Sequence, residues 1–249
     1  MISSNDKQTP KAIVVGASSG IGKEVALLLA DNGWKVGIAG RRTELMKAIA
    51  DTSDGIVAYR QIDVIDPDAP AQLCELIKEL GGMDLYFHSS GIGWQNVALD
   101  TEKEILTVET NALGFTRMVN AAFNFFASTR EGGHIAAITS IAGTKGLGAA
   151  PAYSSTKRFQ RHYLECLSQL ATIRHLPVSI TDIRPGFVHT DLIAGSNFPL
   201  QLSARYVAEK ILKAIRTRKS VVTIDWRYRL LVSLWNLLPR SLWVRMKVK

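Results

Sequence analysis

Short runs of β-branched and small apolar residues alternate along this chain with longer segments in which apolar positions recur every three or four residues. Gly, Asp, Asn and Pro separate the two kinds of segment. The short runs at 12–15, 35–39, 56–61, 84–87, 134–139, 178–183 and 221–224 predict strands, because a strand covered on both faces needs an almost unbroken apolar run. The longer segments at 20–32, 43–51, 67–80, 101–128 (in two pieces), 153–174 and 203–218 predict helices. Repeated strand-then-helix order, with connections too long for hairpins, predicts a parallel sheet with helices on both faces. The expected fold class is α/β, a doubly wound parallel sheet in a single domain over residues 10–225, followed by a tail over 226–249. Ligands of such sheets bind beyond the carboxyl ends of the strands, so the residues just after each strand carry most of the functional signal.

Composition sharpens this picture mainly through charge. The chain has 249 residues and a formal charge of +8. Residues 205–249 hold twelve basic and two acidic side chains, a net of +10 that leaves the preceding residues at −2. A protein that tracks nucleic-acid phosphates needs basic residues over its main surface, so no nucleic-acid partner is expected here. Two cysteines far apart in sequence, Cys74 and Cys166, encode neither a disulfide framework nor a cysteine zinc site. The first ten residues lack a basic-then-apolar signal order, and the apolar stretch from Leu230 to Leu238 is about half the length of a bilayer-spanning helix. A reducing, cytoplasmic setting is the expectation.

The first strand runs directly into Gly16-Ala17-Ser18-Ser19-Gly20-Ile21-Gly22, after which a helix begins. Glycines there let the backbone turn sharply and approach a pyrophosphate, while the helix start offers unpaired N–H groups and a positive dipole end. The second strand ends in Gly40-Arg41-Arg42. A site built for NAD places a carboxylate here for the ribose 2′-hydroxyl; two guanidiniums favour a 2′-phosphate, hence NADP(H), unless they are simply solvated at a helix start. Asp63, followed by Val64, ends the third strand and is either an adenine contact or a helix-start residue. The fourth ends in His88-Ser89-Ser90-Gly91, whose glycine again permits close backbone approach.

Tyr153 and Lys157 stand at i and i+4, on one helical face, where an ammonium favours phenolate and makes tyrosine a usable acid or base. Tyr206 and Lys210 repeat the spacing, but no serine-bearing strand end precedes them. Ser140, thirteen residues before Tyr153, ends a buried-type strand and can hold a carbonyl oxygen while Tyr153 gives it a proton. Asn111 is a mediocre helix former inside an expected helix.

Gly16-x3-Gly20-Ile21-Gly22, Asp63, Asn111, Ser140, Tyr153-x3-Lys157 and Arg184-Pro185-Gly186-Phe187-Val188-His189-Thr190 together resemble the short-chain dehydrogenase/reductase family, in order and spacing, over about residues 10–225. The resemblance implies a seven-stranded Rossmann sheet and hydride transfer between a nicotinamide and a carbonyl or alcohol carbon. It implies Tyr153 as acid/base, Lys157 on the nicotinamide ribose, Ser140 orienting substrate and Asn111 holding a relay water. Gly16, Ser18, Ser19, Gly20, Ile21, Gly22, Arg41, Arg42, Asp63, Val64, Ser90, Gly91, Tyr153, Lys157, Pro185, Gly186, Val188 and Thr190 are the expected cofactor contacts. His88-Ser89-Ser90-Gly91 departs from the family's Asn-Asn-Ala-Gly, and Val15 stands where threonine is common.

The expected function is an NADP(H)-dependent oxidoreductase acting on the carbonyl or alcohol carbon of an apolar small molecule, working as a homodimer or homotetramer. The alternative is a non-catalytic dinucleotide-binding sensor or scaffold of the same fold. Ser140, Tyr153 and Trp94 are the expected substrate contacts, with Ile92, Leu192, Ile193, Phe198 and Leu200 as an apolar surround. No histidine has partners at metal-ligand spacing, so no metal is expected. The tail has three of the five tryptophans, leucines at helical spacing and flanking basic residues. That composition fits a helix lying at an anionic membrane surface, or equally an extension that packs on a second subunit.

Overall fold

The structure, a computed structural model, describes residues 9–190, 198 and 200–248. Seven strands form one parallel sheet: β1 (Lys11–Val15), β2 (Lys35–Gly40), β3 (Ile56–Gln61), β4 (Leu85–His88), β5 (Gly133–Ile138), β6 (Val178–Pro185) and β9 (Val221–Ile224). They lie in the order β3-β2-β1-β4-β5-β6-β9. β7 (Val188–His189) and β8 (Leu202–Ser203) form a separate short parallel pair, which the sequence pattern did not announce. The chain winds outward from β1 in one direction through β2 and β3, then returns to place β4 on the other side of β1. The order of strands therefore reverses between β1 and β4, and the crevice beyond their carboxyl ends is where such sheets receive a ligand.

The strand sequences explain the two-sided packing. Ala12 and Val14 of β1 face one core, while Ile13 and Val15 face the other, and all four are fully buried. The first core is closed by α1 (Gly20–Asp31), α2 (Thr43–Ala50) and α7 (Ala204–Arg216), through Val25, Leu29, Met46, Val207 and Ile211. The second is closed by α3 (Ala69–Leu80), α5 (Phe115–Ala127) and α6 (Pro151–Ile173), through Leu73, Leu76, Phe115, Phe123 and Leu164.

The expected helix over 101–128 divides into α4 (Thr101–Val108), a π-helical turn at Glu109–Gly114, and α5. Gly114 is required there, since a Cβ would lie 2.8 Å from both the side chain and the carbonyl oxygen of Val64. The tail folds as α8 (Trp226–Leu237) and α9 (Arg240–Trp243). Part of it is built into the body of its own chain, which neither expected destination foresaw: Tyr228 is buried in the first core, with Val232 and Trp235 packed against it. Among the described residues no helix is long and apolar enough to cross a membrane.

Candidate active site

The turn after β1 is shaped by its glycines. Gly16 has φ +84° and Gly20 has φ +56°, both left-handed. A Cβ on Gly16 would sit 2.5 Å from the Ser90 nitrogen, and one on Gly22 would collide with the Gly16 carbonyl oxygen. These glycines thus let the β1 turn, the start of α1 and the loop after β4 converge. Ser19 precedes α1 in extended conformation, and its side chain does not cap the helix. Its hydroxyl accepts instead from Arg42 Nη2 at 2.6 Å, and Ser18 Oγ accepts from Arg42 Nε at 3.1 Å and Nη2 at 2.9 Å. The end of β2 is in this way tied to the glycine turn, with Arg41 exposed beside it. A cleft of about 390 Å³ opens between Ser18, Ser19, Gly20 and Lys23 on one side and His189 and Thr190 on the other. Backbone that a Cβ would fill, an uncapped helix start and exposed guanidiniums fit the diphosphate and 2′-phosphate of a dinucleotide.

At the third strand end, Asp63 Oδ1 accepts from the Ile65 N–H at 3.3 Å, a local turn bond, and Val64 is buried beneath Gly114. At the fourth, His88 is fully buried, its Nδ1 shares a 2.8 Å hydrogen bond with the Tyr86 hydroxyl, and its Nε2 lacks a protein partner. Burial, reinforced by the nearby Lys157 charge, lowers its pKa to about 3, so it stays neutral. At this departure from Asn-Asn-Ala-Gly, the buried imidazole is anchored on the Tyr86 hydroxyl of its own strand.

The π-helical turn explains Asn111. It turns that side chain into the interior, where Nδ2 donates to Ile92 O (2.6 Å) and Thr156 Oγ1 (3.2 Å), and Oδ1 accepts from Ile92 N (2.9 Å). The loop after β4 is therefore clamped against α6. Gly93 then packs on the Tyr153 ring so closely that a Cβ would overlap it, and Trp94, 40% exposed, follows. Glu104 fixes the other end of this arrangement: Oε1 accepts from Asn96 Nδ2 at 2.7 Å and Oε2 from the Ala152 N–H, at the start of α6, at 3.0 Å.

Ser140 ends the run after β5 and is buried; its Oγ accepts from Ala142 N at 3.0 Å. The preceding Thr139 donates to Asp182 Oδ1 at 2.5 Å, which fixes the strand end. Burial raises the Tyr153 pKa above its ordinary value, and a hydrogen bond with the Ser140 side chain opposes that rise. The expected lowering by Lys157 is not realised in this arrangement. Lys157 Nζ lies 5.8 Å from the Tyr153 ring centre and donates to Ile138 O (3.0 Å) and Gln160 Oε1 (2.9 Å). Burial brings the lysine itself down to about 7, against a raising influence from Asp182.

Gln160 was not singled out in the sequence. It is fully buried, and its Nε2 donates to the Asn111 backbone carbonyl at 2.8 Å, so its amide links Lys157 to Asn111. Its position three residues after Lys157, on the same helical face, was the available signal. Pro185 and Gly186 close β6, and Gly186 is pressed against the Tyr228 ring. Thr190 Cγ2 would lie 3.1 Å from a Cβ on Gly20, so the last motif reaches the first turn. Leu192 and Ile193 lie outside the described residues; Phe198 stacks on Phe187 with ring centres 4.1 Å apart, and Leu200 is exposed. Among the described residues no three His, Cys, Asp or Glu side chains gather as metal ligands.

The fold is a doubly wound α/β sheet with a glycine-lined crevice at its strand reversal and Ser140, Tyr153 and Lys157 beside it. The short chain dehydrogenase family model matches residues 10–198. An uncharacterized oxidoreductase of Myxococcus xanthus is 32% identical over 239 residues, covering 93% of each chain. Among solved structures, a short-chain dehydrogenase from Sphingobium yanoikuyae in complex with NADPH superposes with a TM-score of 0.76 at 21% identity, covering 93% of this chain and 97% of that one. An alcohol dehydrogenase from the archaeon Thermococcus sibiricus, complexed with 5-hydroxy-NADP, gives 0.76 at 22% identity, covering 89% and 98%. The chain belongs to the short-chain dehydrogenase/reductase family of oxidoreductases.

Proposed function

We propose that this protein is an NADP(H)-dependent oxidoreductase acting on the carbonyl or alcohol carbon of an apolar small molecule. The observation that carries the reading is the buried Ser140 at the end of the β5 run together with Tyr153 and Lys157 one helical turn apart, behind a glycine-shaped crevice. The backbone of Gly16 to Gly22, including Ser18, Ser19 and Ile21, would hold the pyrophosphate, and Arg41 and Arg42 the 2′-phosphate. Asp63 and Val64 would border the adenine, Ser90 and Gly91 the nicotinamide ribose, and Pro185, Gly186, Val188 and Thr190 the carboxamide. The bound nicotinamide supplies or accepts the hydride. NADPH and 5-hydroxy-NADP in the two superposed structures support this choice of cofactor.

The chain's own residues handle the proton. Ser140 orients the substrate oxygen, and Tyr153 delivers a proton to it in reduction or removes one in oxidation. Lys157 serves the tyrosine as a cation and the ribose as a donor, a double use that its two present acceptors leave room for. Gln160 acts as a positioning residue, holding Lys157 at a fixed distance from Asn111. Trp94 and the stacked Phe187–Phe198 pair suit an apolar substrate. The exposed thiols Cys74 and Cys166 suit a reducing, cytoplasmic setting, and a homodimer or homotetramer is the assembly we assign.

Tyr153→Phe tests the reading. NADPH binding, followed by the nicotinamide fluorescence, should be retained, while turnover of apolar ketones should fall by about 10² to 10⁴. Undiminished turnover in that variant would overturn the assignment.

A further inference from the structure

Helix α8 is apolar on two sides, and the body of the protein uses only one. Tyr228, Val232 and Trp235 form the inner stripe, packed on the first core. The outer stripe is Trp226, Leu230, Leu234 and Leu237, with relative exposures of 65, 53, 56 and 79%. At about 100° per residue these four fall within a single arc of roughly 80°. Leu242 and Val244, 52 and 67% exposed, extend the apolar surface past α9. An isolated exposed leucine needs no explanation, but a contiguous set of this size marks a surface that meets something.

The charge around it says what. Residues 226–249 contain six basic side chains and no acidic one. The carboxylate of Asp225, the nearest acidic group in sequence, is already engaged by Arg227, with Nη2 to Oδ2 at 2.8 Å. Arg229, Arg240, Arg245 and Lys247 are exposed along the same segment. A second copy docked through this face would bring two such cationic surfaces together, because a twofold contact pairs a patch with itself. A surface of anionic lipid headgroups complements both features, taking the apolar stripe into the headgroup boundary and the arginines onto phosphates. With twelve residues α8 is about 18 Å long, suited to lie in that plane and too short to span it.

The face is also preformed. Trp243 Nε1 donates to Gly146 O at 2.7 Å, Lys145 Nζ donates to Leu238 O at 2.5 Å, and Lys145 lies 4.9 Å from the centre of the Trp243 ring. Trp235 and Trp243 meet edge to face at 5.6 Å. Docking therefore requires little ordering of the chain. We propose that the outer stripe of α8, with the segment through Val244, is a docking surface for anionic membrane.

The test uses the full chain in flotation with phosphatidylcholine vesicles and with vesicles containing one third phosphatidylglycerol. Wild type should float with the anionic vesicles, less at high salt, and weakly with the neutral ones. Leu230→Ser combined with Leu234→Ser should weaken partitioning about tenfold or more, with the near-ultraviolet circular dichroism unchanged. If that pair fails to fold, Arg229→Gln with Arg245→Gln remains diagnostic and should abolish the preference for anionic vesicles. Failure of wild type to float, or flotation of both variant pairs indistinguishable from that of wild type, would overturn the proposal. So would a leucine pair that splits a larger assembly in gel filtration without any vesicle recruitment.

Discussion

Lys157 is held by two neutral acceptors, Ile138 O and Gln160 Oε1, in a setting where burial brings its pKa to about 7. The Gln160 carbonyl stabilises the charged form, so Gln160→Leu should drive the lysine pKa lower and move the alkaline limb of the kcat/KM profile to lower pH. Gln160→Glu places a carboxylate there and should move that limb the other way; a merely structural role would shift neither. His88 carries a second pH dependence. Its folded pKa of about 3 lies below the ordinary 6.5, so between those values the unfolded chain binds the extra proton and stability falls as the pH is lowered. The thermal midpoint of wild type should consequently drop more between pH 6.5 and 4 than that of His88→Asn. His134, lowered to about 4, contributes with the same sign in both proteins.

The reacting geometry depends on how secondary elements meet. Asn111 is aimed inward because the helix around it opens into a π turn, and Gly93 lets the clamped loop lie flat on the Tyr153 ring. Gly93→Ala should displace that ring and cost turnover while NADPH binding, which we assign chiefly to Gly16 to Gly22, persists. Tyr228 of α8 backs Gly186, so the tail supports the loop that follows β6. Tyr228→Ala would open a cavity there and should cost about 3–5 kcal/mol in urea denaturation, as other buried aromatic truncations do. The strands and most helices were legible in advance because a parallel sheet demands continuous apolar runs, as in β1, and its covering helices demand one-sided periodicity, as in α7. The π turn was visible only as an asparagine out of place, because a single extra residue in a helix leaves no period of its own to read.

For the molecule as a whole, the tail is neither an appendage nor a free anchor. Truncation after residue 225 would remove Tyr228 and Trp243 from the interior, so the shortened chain should lose several degrees of thermal midpoint or fail to accumulate as folded protein. The NADP(H) preference we propose likewise draws on more than one element, since Arg42 from the end of β2 braces the serines of the β1 turn. Replacing Arg41 and Arg42 together by alanine should raise KM for NADPH well over tenfold while leaving KM for NADH within a few fold.

Local chemistry was enough to establish the alternation of strands and helices, the glycine turn, the tyrosine–lysine pair and the family. Each is written in residue types at fixed spacing, which adjacent backbone geometry converts directly into structure. Long-range packing settled the rest. Apolar residues on two faces of α8 read alike in sequence, and it took the position of the body to assign Tyr228 inward and Leu234 outward. Likewise the Ile138 carbonyl reached Lys157 only through folding, and Gln160 joined the site because its amide spans from Lys157 to the Asn111 backbone carbonyl, where buried polar groups must find partners.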